Sequence, residues 1–108
     1  MVHIMATTWW PMGLTKSAEM GKKTYEVVKK FPADESIATQ LVQGFMGDKV
    51  GYKAITIWNV KEGKLEEALT LIGDTMRLYT EVEGFTFRLD LMTTVEDAWA
   101  NIGMKPPE

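Results

Sequence analysis

The chain of 108 residues has no cysteine and a single histidine, His3. Without thiols there are no disulfides, no thiolate nucleophile and no cysteine-based metal site. One imidazole with no second histidine at ligand spacing does not build a zinc site either, so no bound metal is expected. Basic residues are not in excess. Twelve Lys and Arg stand against fifteen Asp and Glu, a net charge of -3. That balance leaves no electrostatic footprint for nucleic acid. No apolar run approaches the length of a membrane span. The segment Met1-Val-His-Ile-Met-Ala lacks a basic leader and a long apolar core, so no signal peptide is expected, and a cytoplasmic location is the default. No glycine-rich loop carries a phosphate-binding Lys-Ser/Thr. No dinucleotide fingerprint, nucleophile elbow or carboxylate cluster for two metals is present. The expected cofactor set is therefore empty.

The most structured stretch runs from Gly51 to Thr93. It reads strand (Tyr52 to Val60), amphipathic helix, strand (Phe85 to Thr93). The helix starts near Gly63. Leu65, Leu69, Ile72, Met76 and Tyr79 form its apolar face, and Gly84 is expected to close it. Upstream, Val2 to Trp10 is rich in β-branched and aromatic residues and ends at Pro11, which marks a first strand. A helix from Thr15 to Phe31 follows. Its cap is expected at Thr15 or Ser17, and its apolar stripe at Leu14, Ala18, Gly21, Tyr25, Val28 and Phe31. Ile37 to Met46 reads as a second strand. It is joined to the third by a hairpin loop through Gly47-Asp48-Lys49 and Gly51. Thr94 and Asp97 have capping-box spacing and open a short last helix, docked by Trp99 and Ile102. The order is βαββαβ plus one helix. This is one α+β domain over residues 1–104 with a tail at 105–108, built on a four-stranded antiparallel sheet.

Right-handed crossovers place both long helices on one side of such a sheet. The opposite face should then be polar, yet the strands carry large apolar residues at both parities. Phe85, Phe87, Leu89 and Leu91 alternate with Thr86, Arg88, Asp90 and Met92. Ile4 and Ala6 alternate with Met5, Thr7 and Trp9. An apolar face of that kind marks an interface. The βαββαβ order with two-sided strands resembles the ferredoxin-like fold, and within it the dimeric α+β barrel superfamily. That group includes antibiotic-biosynthesis monooxygenases, stress-responsive barrel proteins and haem-degrading monooxygenases. The resemblance implies a homodimer or higher homo-oligomer, with a ligand pocket between sheet and helices in each protomer.

On this reading the protein binds a small apolar or aromatic molecule between sheet and helices, and its partners are itself and that ligand, with neither nucleic acid nor membrane. Trp9, Tyr25, Trp58, Met76 and Tyr79 are the candidate walls. A cofactor-free monooxygenase or isomerase is the alternative. His3, Asn59, Arg88 and Asp90 are its available polar groups, with His3 a general base if Asp90 or Glu83 holds it. An assembly module without a ligand is the third reading. Trp58-Asn59 and His3 match the residue types of the haem-degrading branch but not their positions, so that activity is not carried over. Arg88 and Asp90 share a face and are expected to pair, within the chain or across an interface. Thr7, Gln43 and Thr56 are expected beside them. Met5, Met12, Met20, Met46, Met76, Met92 and Met104 suit an adaptable interior.

Overall fold

The computed structural model describes residues 2–49, 51–105 and 107. Met1, Val50, Pro106 and Glu108 lie outside it, and with them part of the expected hairpin loop and tail. The order is β1 (Val2–Pro11), α1 (Leu14–Lys30), β2 (Ala38–Asp48), β3 (Gly51–Val60), α2 (Leu65–Tyr79), β4 (Thr86–Thr93) and α3 (Val95–Asn101). The strands form one sheet in the order β2-β3-β1-β4, and every pairing is antiparallel. This is the ferredoxin-like α+β arrangement expected from the sequence.

Register assigns the faces. Ile4 stands opposite Trp58 and Leu91, and Ala6 opposite Thr56 and Leu89. Even-numbered residues of β1 and β3 and odd-numbered residues of β4 therefore share one face, which the helices cover. Ile4, Ala6, Val60 and Phe85 pack there with Ala68, Ile72 and Met76 of α2. Ala68 is fully buried, and so small a side chain lets the helix approach the sheet closely. Met5, Thr7, Trp9, Ile55, Ile57, Arg88, Asp90 and Met92 take the outer face.

Four local expectations are corrected. α1 begins at Leu14 behind Gly13, with no side-chain cap, so neither Thr15 nor Ser17 opens it. Gly84 does not close α2, which ends at Tyr79 with Thr80 as its cap. It turns the chain into β4 at φ 89°, where a Cβ would stand 2.5 Å from Pro11 Cγ. A bulge between Gln40 and Val42 shifts the phase of β2, so Gln40, Gln43 and Phe45 share the helix side while Val42 and Met46 take the outer face. Gln43 and Thr56 are thus on the opposite side from Thr7, Arg88 and Asp90. Of the two residues expected to dock α3, Trp99 is half-buried but Ile102 is 71% exposed. The Thr94 cap forms as expected, its Oγ1 accepting from Asp97 N at 3.0 Å.

α1 meets α2 and the turn after it through polar groups, while Met20 packs against the core and Val27 is buried. Lys23 Nζ donates to Glu26 Oε2 and to Glu81 Oε1, both at 2.7 Å. The hydrogen bonds that Lys23 donates to Glu26 and then Glu81 raise the lysine above its ordinary value, and the lysine holds Glu81 below the usual carboxylate value. A lowered carboxyl adds stability above its unfolded value and loses it as pH falls through the folded one. Urea unfolding should show a lower midpoint near pH 3 than at pH 7. The Lys23→Met variant should shift less over that range, because Glu81 then titrates alike in both states.

Candidate functional site

The helix-side face changes character along the sheet. At the β4 half it is filled. Phe85 stacks on Tyr79 at 5.3 Å between ring centroids, and Tyr79 OH meets Thr24 Oγ1 at 3.0 Å. Met76 is buried in the same cluster, and Trp58 packs against it. These three candidate walls come together, as members of a packed core. Trp9 and Tyr25 do not join them. Trp9 lies on the outer face with the Lys53 ammonium 6.0 Å from its ring centroid. Tyr25 points outward from α1 and is 75% exposed.

The open part lies toward the hairpin. Register brings Trp10 opposite Tyr52 and Phe45 opposite Ala54. The Trp10 and Tyr52 rings stack at 5.7 Å, and Phe45 sits edge-on to Tyr52 at 6.4 Å. Phe45 is nonetheless 73% exposed. The turn after β1 carries Met12 over Gly47, where a Cβ on the glycine would be 3.8 Å from Met12 Cε. Next to the rings the same face turns polar. Buried Thr8 and Thr56 lie in the central strands, and Gln43 stands opposite Thr56. Gln40 Nε2 reaches Gln43 Oε1 at 3.4 Å. Three aromatic rings and a methionine thus border two amides and two hydroxyls. That set can hold a flat apolar body by stacking and orient one polar group by hydrogen bonds. Sequence reasoning named none of Trp10, Phe45 and Tyr52 as site residues. A hairpin register carried through from Gly47 opposite Tyr52 would have found the Phe45–Tyr52 contact.

The four polar candidates share the other face. His3 is opposite Asn59 on β3 and Met92 on β4. Arg88 Nε donates to Asp90 Oδ2 at 2.9 Å, one of the two pairings expected. Asn59 alone reaches a groove, about 490 Å³ in volume, at the end of the sheet. Val2, Val60, Lys61, Glu62, Gly63 and Leu65 line the rest of it. Asn59 Oδ1 is buried without a hydrogen-bond partner among the described residues. Such an acceptor costs on the order of 1–3 kcal/mol. No group of three or more His, Cys, Asp and Glu among the described residues could hold a metal ion. No helix among them is long and apolar enough to cross a membrane.

No protein-family model matches the chain, and no curated protein matches it in sequence. Solved structures do resemble it. An antibiotic-biosynthesis-monooxygenase-type protein from Deinococcus radiodurans aligns with a TM-score of 0.53 at 18% identity, over 89% of this chain and 94% of that one. SnoaB, a cofactor-independent oxygenase from Streptomyces nogalater solved as an asparagine-to-alanine variant, aligns at 0.51 and 15% identity. That alignment covers 87% of this chain and 93% of SnoaB. The designed protein Foldit4 aligns at 0.55 and 10%, over 87% and 99%. The chain thus has a ferredoxin-like α+β fold similar to that of these proteins. A designed protein shares it as closely as the oxygenase does, so the fold names no reaction.

Asn59 supplies a direct test of the groove. If its acceptor is unpaired in solution, Asn59→Leu should raise unfolding free energy by about 1 kcal/mol. A loss of similar size in urea titration would instead mean that Oδ1 has a donor, from a ligand or a second copy.

Proposed function

We propose that the protein is a homo-oligomeric α+β barrel that binds a small, flat, mostly apolar molecule on the helix side of its sheet. The observation that carries this reading is the Trp10–Tyr52–Phe45 ladder, left open with Phe45 exposed beside Gln40 and Gln43. Rings left in water at the end of a core are costly, and a stacked ligand would remove that cost. Self-association is supported by the outer face, where Val42, Met46 and Met92 are exposed beside half-buried Trp9, Ile55 and Ile57. Two such faces packed together would remove them from water.

A cofactor-free monooxygenase or isomerase is the second reading. The unpartnered Asn59 acceptor at the groove favours it, and SnoaB is described as a cofactor-independent oxygenase. Against it, His3, Arg88 and Asp90 lie on the face away from the ladder.

Native mass spectrometry followed by denaturing measurement tests the first reading. An oligomer should release a defined small molecule. Trp10→Ala and Phe45→Ala should each weaken its retention, and that of an anilinonaphthalene dye, by roughly tenfold, the value of one stacked ring. Ile57→Asp should reduce the subunit number by breaking the sheet contact. An oligomer of bare subunit mass that ignores the dye would leave an assembly module instead.

A further inference from the structure

α1 is apolar on two sides. Met20, Val27 and Phe31 turn inward, with Val27 buried. Leu14, Ala18, Gly21, Tyr25 and Val28 turn outward, and Leu14 is 92% exposed. Their spacings of four, three, four and three are those of a helix-packing seam. A Cβ on Gly21 would meet nothing within 4 Å, so the middle of the seam is an open hollow between Leu14 and Tyr25. Lys22 and Lys29 run along its edge. The helix as a whole carries five lysines and two glutamates.

α2 is the opposite in charge. Its outward side holds a shallow groove of about 420 Å³ lined by Glu66, Glu67, Thr70, Leu71 and Asp74. Three carboxylates surround one leucine. The base of this helix, Arg77, already bonds Asp74 Oδ1 at 2.6 Å.

We propose that this helix layer is a second self-association surface, in which the outward seam of α1 from one protomer lies in the α2 groove of its partner. Charge complementarity selects the occupant: Lys22 and Lys29 meet Glu66, Glu67 and Asp74. Symmetry permits it. β1 and β3 are antiparallel, so the helices that follow them run in opposite directions. A two-fold axis lying between α1 and α2, along their length, stacks each α1 antiparallel on the partner's α2. The contact is isologous and closes, with both copies satisfied at once. Opposed helix dipoles add to it. It uses the side of the molecule away from the sheet contact proposed above and does not depend on that contact.

Sedimentation equilibrium at low salt tests the surface in the Ile57→Asp background, where the sheet contact is removed. That protein should still self-associate, and more weakly as salt rises. Lys22→Glu/Lys29→Glu makes both helices acidic, and Glu67→Lys/Asp74→Lys makes both basic. Each variant alone should lose association by roughly a hundredfold, because like charges then face each other. Mixed in equal amounts, the two should associate again, since every α1–α2 contact pairs opposite charges. All four positions are on the surface, and circular dichroism should show unchanged folding. A background protein that stays monomeric at every concentration overturns the inference. So do variants that keep the background association, or a mixture that stays monomeric. If Ile57→Asp leaves the wild-type mass intact, it is the sheet contact that fails, and the charge variants made in the wild type still decide this one.

Discussion

A four-stranded sheet whose two crossovers share one hand has only one face that its own helices cover. Everything else in this molecule follows from that limit. Ile4 and Ala6 disappear from solvent because β3 and β4 flank β1 and α2 lies above it. One residue along, Met5 and Trp9 stay half-open on the other side. The core is correspondingly thin. The molecule measures 51 × 31 × 18 Å, with a radius of gyration of 15.9 Å. A compact chain of this length would have about 13 Å. The excess is surface, and much of it is apolar.

Two kinds of apolar surface result, and they call for different occupants. The outer sheet face is broad and flat, with an Arg88–Asp90 pair holding its charges together. A surface like that suits another sheet, and an ion pair beside it fixes register more than it adds stability. The hairpin end is narrow and ringed. Its aromatic residues partly cover one another, Trp10 on Tyr52 and Tyr52 on Phe45, and buried Thr8 and Thr56 stand close by. Mixed rings and hydrogen-bonding groups suit a small molecule better than a flat protein face, because the polar groups are few and fixed in direction.

Element order, strand parity and the Thr94 cap were legible in the sequence because each is a local pattern: period two, period 3.6, or a three-residue spacing. Alternation within β1, β3 and β4 was legible from parity, but which set of one strand shares a face with which set of the next depends on register, so Thr56 and Trp9 lie on the sides opposite to those expected. β2 escaped, since a one-residue bulge inverts every side chain after it and leaves no mark in composition. The orientation of α1 escaped for another reason. Its strongest apolar stripe runs from Leu14 to Val28, but Met20 packs against the core, Val27 is buried and Lys23 reaches across to Glu81. A stripe shows that a helix has an apolar side and says nothing of what lies against it. Adjacent strand residues such as Trp9 and Trp10 point to opposite faces, but only the pairing of Trp10 with Tyr52 shows which one belongs to the ladder. The site was least legible because its three rings come from three strands, and contacts between strands depend on register.

Placement of polar residues bears on whether chemistry occurs at all. General acid–base work needs a titratable group within hydrogen-bond reach of the bound molecule. Beside the ladder stand amides and hydroxyls, Gln40, Gln43, Thr8 and Thr56, none of which takes up or releases a proton near neutral pH. His3, Arg88 and Asp90 have the chemistry but not the position. Asn59 has a groove and an unpaired acceptor, yet an amide can only orient or stabilise, not transfer, a proton. Under the proposed reading these neutral groups, with the Tyr52 phenol in the ladder itself, would fix the orientation of a bound molecule. Turnover would require a molecule that supplies its own reactivity and needs from the protein only a fixed orientation and exclusion of water, which is the one kind of catalysis that stacked rings and neutral amides can support.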